Sequence, residues 1–161
     1  MPSSASLVDH PRRAPGCTQV FTRFRILNAG GQELSCVPLG GDAIFELSGH
    51  IEERLSGVTF AMRIDTLSGL RATTCHTLYQ FPDRITIDGA FTVSCAFRNL
   101  RLMPGPYNLS LVAKVDDRLI DQIDNLPIEV VPTDVYRTGK SLPPRTGVYI
   151  PDASWSVQTG A

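Results

Sequence analysis

The feature that most limits what this chain can fold into is a regular alternation of apolar and polar residues. The clearest run lies between positions 58 and 65 and alternates Val58, Phe60, Met62 and Ile64 with Thr59, Ala61, Arg63 and Asp65. Similar alternation runs through positions 20–26, 43–51, 91–97, 107–115 and 126–130. Successive side chains of a strand point to opposite faces, so this pattern predicts half-buried β-strands.

Turn signals separate these segments, and no segment keeps a helical period for three turns. The turns are Gly30-Gly31, Gly40-Gly41-Asp42, Ser68-Gly69, Asp88-Gly89, Pro104-Gly105 and Asp116-Asp117. Short alternating strands between closely spaced turns are typical of a β-sandwich. The sequence therefore predicts an all-β fold, an antiparallel sandwich of the immunoglobulin-like or jelly-roll-like kind.

Composition divides the chain into three parts. Residues 1–18 are rich in Pro and Ser and contain Arg12-Arg13, which is linker composition. Residues 19–132 form the predicted sandwich core. Residues 133–161 form a C-terminal extension with a last apolar cluster of Val148, Ile150, Trp155 and Val157. We expect a final strand there that returns to its own sheet or is exchanged within a dimer, with Val148, Ile150 and Trp155 as its contacts.

Charge and hydropathy exclude two classes of protein. The 161 residues carry a formal net charge of −1 and show no clustered basic excess, which argues against a nucleic-acid binder. No apolar run approaches the roughly 18 residues that a membrane span requires. The N-terminus lacks the apolar stretch of a signal peptide, so a cytoplasmic location is expected.

The cysteines do not form a metal-binding pattern. Cys17, Cys36, Cys75 and Cys95 contain no C-x-x-C pair, which argues against a zinc knuckle. An even number permits two disulfides, but free thiols are expected in a cytoplasmic chain. Cys95 lies in the apolar phase of its strand and is interpreted as a small core residue.

A phosphate-binding loop is suggested at Thr138–Ser141 and is then excluded. The full motif requires a glycine five positions before Gly139, where this chain has Asp134. A loop turn is the better interpretation.

Catalytic constellations are not recognisable either. The three histidines, His10, His50 and His76, are too scattered in sequence to suggest a metal site. The carboxylate pairs Glu52-Glu53 and Asp116-Asp117 are adjacent in sequence, so the two carboxylates of a pair point in different directions and do not face each other as in a glycosidase. We expect no enzyme activity, no metal and no cofactor.

One polar face suits a sugar. Its candidate carbohydrate-binding residues are Arg63, Arg71, Thr73, His76 and Tyr79. Arginine and hydroxyl groups hydrogen-bond sugar hydroxyls, and an aromatic ring stacks on the apolar face of a sugar ring. The alternative is an ordinary solvated sheet face, and composition does not separate the two.

An ordered set of short motifs between Val20 and Trp155 resembles the C-terminal domain of Wzt-type proteins, the ATP-binding subunits of polysaccharide ABC exporters. The motifs are Phe24–Gly31, Leu39–Asp42, Ile64-Asp65-Thr66, Ser68-Gly69, Thr73-Thr74, Leu100–Ser110, Gly147-Val148-Tyr149 and Trp155. The resemblance implies an immunoglobulin-like sandwich that recognises O-antigen polysaccharide in the cytoplasm. It also implies a homodimer with exchanged C-terminal strands.

The expected function is therefore a non-catalytic carbohydrate-binding domain. Its expected partners are the O-polysaccharide, a second copy of the chain and, through an ATP-binding domain that this chain lacks, the membrane subunit of a transporter. The alternative is a structural or dimerisation module without a glycan ligand.

Overall fold

A computed structural model of the chain describes residues 4–81, 84–143 and 147–158, so the first three residues of the predicted linker and the last three of the predicted extension lie outside it. Within these ranges the chain forms nine strands and a short 3₁₀ turn, without an α-helix. The strands are β1 (Ser4–Ser6), β2 (Phe21–Leu27), β3 (Glu33–Leu34), β4 (Val37–Pro38), β5 (Ala43–Thr66), β6 (Arg71–His76), β7 (Ile85–Phe97), β8 (Gly105–Val115) and β9 (Arg118–Val131), and the 3₁₀ turn (Thr77–Tyr79) follows β6.

The long strand β5 belongs to both layers of the molecule. Its first part pairs with β2 and with β7, and its second part pairs with β6 and with β8. Two register shifts lie between Ile51 and Val58, and bulges of this kind bend a strand. The sheet order β1-β2-β5-β8-β9-β4 therefore folds over itself. Layer A contains β1, β2, β3, the first part of β5 and most of β7. Layer B contains β6, the second part of β5, β8, β9 and β4.

The alternating segments 43–51 and 58–65, which the sequence separates, are thus parts of one strand. The polar residues 52–54 interrupt the alternation at a register shift, and pairing with β7 resumes at Leu55 with Ile87 and Ser56 with Thr86. Gly57 has a φ of 73°, a left-handed conformation that glycine adopts without strain. The chain bends at this point without leaving the sheet.

The core lies between the inward faces of the two layers. Phe45 is fully buried, and its ring lies 5.7 Å from that of Phe24 and 4.8 Å from that of Phe97. From layer B, Ile64 and Leu109 are completely buried against the same core. Burying a side chain of this size contributes roughly 1.5–3 kcal/mol. The all-β sandwich that the sequence predicts is confirmed, with one parallel pair, β4 with β9, among antiparallel neighbours.

Residues 4–18, which have linker composition, lie against the sandwich. Strand β1 pairs with β2, and Leu7 is fully buried in the core. The N–H of Ala14 donates to the carbonyl of Gln122 at 2.9 Å, and the N–H of Thr18 donates to that of Ile120 at 3.0 Å. This segment therefore runs along β9. The boundaries at 18/19 and 132/133 stay a prediction.

The C-terminal extension also contacts the domain from which it departs. The N–H of Met103 donates to the carbonyl of Val148 at 3.0 Å, and that of Ile150 donates to Arg101 at 2.8 Å. Ile150 is buried in the core, whereas Trp155 is 97% exposed.

Helices with the length and hydropathy of a membrane span do not occur among the described residues.

Candidate functional site

The outward side of layer B brings most of the candidate residues together. Arg63 of β5 lies in register with Thr74 of β6 and with Ser110 of β8. Directly opposed residues of antiparallel strands point to the same face, with Cβ atoms about 4.5–5.5 Å apart. We call the outward set Arg63, Asp65, Arg71, Thr74, His76, Asn108 and Ser110 the polar face.

Arg63 lies at the centre of the polar face. Its side chain is half-buried and forms no hydrogen bond or ion pair with the part of the chain that the structure describes. A guanidinium has five N–H donors in a planar array. These donors, with hydroxyl groups on either side, are available to a ligand rich in hydroxyl oxygens.

Arg71 is held in place by its neighbours. Its Nε donates to Oδ1 of Asp65 at 2.5 Å, and its Nη1 donates to Oγ1 of Thr74 at 3.4 Å. Asp65 lies in register with Asn108, which adds an amide group to the same row. The pair fixes the orientation of the Arg71 guanidinium and leaves its remaining N–H groups toward solvent.

His76 and Tyr79 form the edge of the polar face. Their rings are 5.7 Å apart in an edge-to-face arrangement, and Tyr79 is 83% exposed. Tyr79 is positioned by the 3₁₀ turn, which is anchored because Oγ1 of Thr77 accepts the N–H of Phe60 at 2.9 Å. Nδ1 of His76 is buried and has no hydrogen-bond partner among the described residues. Leaving a buried polar atom unpaired costs free energy.

Thr73 does not share this face. It lies in register with Ile64, whose side chain points into the core, and its hydroxyl interacts with the thiol of Cys75. A bulge in the β5–β6 pairing near Asp65 places Arg71 and Thr74 outward instead. Four of the five candidate residues are therefore together, and Thr74 occupies the place that the sequence interpretation gave to Thr73.

Sequence reasoning missed the contribution of β8. Asn108 and Ser110 lie in the polar phase of their strand, but the pattern alone does not say which strand lies beside it. Between the long side chains, the small residues Ala61 and Ser110 form the floor of the face, only 4% and 5% exposed. Long side chains around small ones therefore give the face an uneven surface.

A groove opens beside the polar face, between the edge strands β6 and β7. It has a volume of about 530 Å³ and is lined by apolar and polar residues that include Phe60, Phe81, His76 and Arg98, together with the thiols of Cys75 and Cys95. A second cavity of about 480 Å³ lies at the bend of β5, and its lining includes Phe81, Arg84, Asp116 and Asp117. Both border the 3₁₀ turn that carries Tyr79.

Groups of three or more His, Cys, Asp or Glu side chains able to hold a metal ion do not occur in the described ranges. Asp116 and Asp117 remain neighbours in one turn, as the sequence indicates. The chemistry that these surfaces offer is hydrogen bonding and ring stacking.

The model of the Wzt C-terminal domain family matches residues 19–141. The chain belongs to this family. The resemblance inferred from the ordered motifs is thereby confirmed. Among curated proteins, none matches the chain.

A solved structure agrees with the family assignment. The crystal structure of the C-terminal domain of wzt superposes with a TM-score of 0.70 at 15% identity, covering 91% of this chain and 87% of that chain. At this identity the likeness shows a shared fold. A β-glucuronidase from glycoside hydrolase family 2 superposes with a TM-score of 0.40 at 15% identity over 59% of this chain and 10% of that chain, which says nothing about function.

Within this Wzt C-terminal domain fold, Val148, Ile150 and Trp155, the residues expected to mediate strand exchange, do not all contact the same surface. Val148 and Ile150 lie against residues 101–103 of their own chain, and Ile150 is buried. Trp155 is exposed beyond them.

Proposed function

We propose that this domain is a non-catalytic carbohydrate-binding module that recognises O-antigen polysaccharide for export by an ABC transporter, at the cytoplasmic face of the membrane. Membership of the Wzt C-terminal domain family supports the exporter context. The observation that carries the site is the unpaired guanidinium of Arg63 between the hydroxyls of Thr74 and Ser110.

Binding uses the groups of the polar face in different ways. Arg63 and Arg71 donate hydrogen bonds to sugar hydroxyls, the exposed ring of Tyr79 stacks on a sugar ring, and the ring of His76 supports that of Tyr79 from its edge. Each hydrogen bond contributes about 1 kcal/mol net, so one domain binds with micromolar to millimolar affinity. Two domains on one polysaccharide chain bind more tightly through avidity.

The domain's partners follow from the same proposal. An ATP-binding domain connects it to the membrane subunit of the transporter, and the domain itself acts by holding the glycan.

The experiment is a titration of the folded domain with the O-polysaccharide of its source organism, followed by calorimetry or by ligand-observed NMR. A foreign O-polysaccharide of similar length is the control. Selective binding of the native glycan supports the proposal. A folded protein that binds neither glycan contradicts it.

A second function has its own observation. Trp155 and Val157 are 97% and 81% exposed at the end of the extension. Exposed side chains of this size mark contacts with a partner, so we also propose that the end of the extension of one copy packs on another copy. A domain that dimerises and never binds a glycan would leave dimerisation as its only function.

A further inference from the structure

Two cysteines approach each other from different layers of the sandwich. Cys75 of β6 lies in register with Met62, and Cys95 of β7 lies in register with Phe45. Both partners are buried core residues, so both thiols point inward. Each cysteine is only half-buried, because each lies at the groove between β6 and β7.

The two thiols line the same groove and are close enough to affect each other's ionisation. A hydrogen bond from Cys95 lowers the pKa of the Cys75 thiol to about 7, and the same bond raises the pKa of Cys95. The hydroxyl of Thr73 also interacts with Cys75. The thiolate is the reactive form in disulfide exchange, and an attacking thiol reacts best when its pKa is near the ambient pH.

The strands that carry the pair can approach each other. Within the described residues, β6 and β7 pair with β5 along one edge and leave the other edge free. A disulfide has an S–S length of about 2.05 Å, which is shorter than any hydrogen-bonded thiol contact. Forming the disulfide therefore requires the two edge strands to move toward each other across the groove.

We propose that Cys75 and Cys95 form a reversible disulfide, by exchange with a small-molecule disulfide, that joins the two layers across the groove. This inference does not depend on glycan binding. It assigns a redox modification site to a pair of residues that the proposed function does not use.

The exchange takes two balanced steps. The Cys75 thiolate attacks one sulfur of the small disulfide, forming a mixed disulfide and releasing the other half as a thiolate, which takes up a proton. Cys95 then loses its proton and attacks Sγ of Cys75, and the second half leaves as a thiol. Overall, two protein thiols are oxidised and one small disulfide is reduced to two thiols.

Cys17 and Cys36 provide the matched background for the test. Both are also half-buried, but neither lines this groove. The double variant C17S/C36S leaves only the pair. It is equilibrated with mixtures of reduced and oxidised glutathione, and its intact mass, free thiols and Tm are measured.

The expected product has lost two hydrogens, carries no glutathione and has no free thiol. Its Tm rises by about 5–10 °C, because a disulfide that closes a loop of this length restricts the unfolded chain. Addition of dithiothreitol restores both thiols and the lower Tm.

Three controls make the outcome decisive. C17S/C36S/C75S and C17S/C36S/C95S should stop at a single glutathione adduct. Wild-type protein, oxidised and digested without reduction, should give a peptide that links Cys75 to Cys95, which tests the pair even if a variant fails to fold. Stable double glutathionylation, persistent free thiols in oxidised glutathione, or a linked product with a lower Tm would each overturn the proposal.

Discussion

Nε of Arg13 lies 2.8 Å from Oδ1 of Asp121, and both side chains are almost completely buried. The second oxygen of Asp121 accepts the backbone N–H groups of Val20 and Phe21, at 2.9 Å and 2.8 Å. Arg13 also donates to the carbonyl groups of Leu7 and Phe21. This one ion pair thus connects the N-terminal segment, β2 and β9.

Replacing Asp121 with Ala is expected to destabilise the domain strongly. The change leaves the buried Arg13 guanidinium without its counter-charge and two backbone N–H groups without an acceptor, a loss of about 3–5 kcal/mol in the free energy of unfolding. Chemical denaturation measures it. Asp152→Ala is the control, because Asp152 is 96% exposed and lies 4.0 Å from Arg101. An exposed pair contributes about 0–1 kcal/mol, so equal losses in both variants would contradict this account.

Replacing Arg63 with Ala is expected to weaken binding of the native O-polysaccharide about tenfold without lowering Tm. The variant loses charge-assisted hydrogen bonds from the centre of the polar face. Arg54→Ala is the matched control: Arg54 also lies on β5, is exposed at the bend and has no partner among the described residues. If the Arg54 variant lost affinity and the Arg63 variant kept it, the binding face would lie elsewhere.

Tyr107 should make the free energy of unfolding decrease at alkaline pH. Its hydroxyl donates to the carbonyl of Met103 at 2.5 Å, and burial raises its pKa above the ordinary value of 10. Below about pH 10 the phenol is neutral in both the folded and the unfolded state. Above that pH the unfolded chain ionises first, so the free energy of unfolding should fall as pH rises from 10 toward the raised native pKa.

The Tyr107→Phe variant separates this effect from other titrations. At neutral pH it should be about 1–2 kcal/mol less stable, because a buried carbonyl loses its donor. Between pH 8 and about pH 11, the variant's free energy of unfolding should then fall less steeply with pH than that of the wild type. Denaturation curves recorded at each pH give both values. Parallel curves would show that other groups cause the alkaline loss.

Trp155→Ser is expected to weaken self-association and leave Tm of the monomer unchanged, since Trp155 is almost fully exposed in a single chain. Ile150→Ala is the contrasting variant, because Ile150 is a buried core residue and its truncation should cost about 2–5 kcal/mol. Sedimentation at several concentrations, combined with thermal melts, distinguishes the two. Unchanged association of the Trp155 variant would exclude this residue from the dimer contact.

Alkylation of Cys75 should accelerate through neutral pH. Since its pKa is about 7, the rate of reaction with iodoacetamide should rise most steeply near that pH. Cys95, His76 and Arg98 are the other titratable or charged groups that line the groove. Cys95→Ala should move the midpoint upward, because it removes the thiol that lowers the pKa of Cys75 and puts no hydrogen-bond donor in its place. Peptide mass spectrometry follows each site, and Cys17, whose pKa is raised by burial, provides an internal control that should react at higher pH.

The alternation of side chains was enough to predict the fold class and most of the core. Val58, Phe60, Met62 and Ile64 are all buried, as their phase predicts. Alternation could not predict that 43–51 and 58–65 form one strand, since the polar residues 52–54 break the pattern and pairing with β7 resumes only at Leu55. The two-residue strands β3 and β4 are too short to have a period.

The sequence could predict which residues of one strand share a face, but it could not predict which strands lie side by side. Arg63 and Arg71 were chosen for residue type and do share a face. Thr73 was misplaced because one bulged residue reverses the side to which its neighbours point. Asn108 and Ser110 join the face through the pairing of β8 with β5, a contact between distant parts of the chain that no local pattern encodes.

The 24-residue strand β5 has a consequence for how the molecule can be divided. Because it is a central strand of both layers, neither layer is complete without half of it. A protease that cut between positions 52 and 57 would release no folded fragment, and a gene split at that point would encode two pieces that fold only together. The two layers are therefore expected to fold and to unfold together, as one cooperative unit.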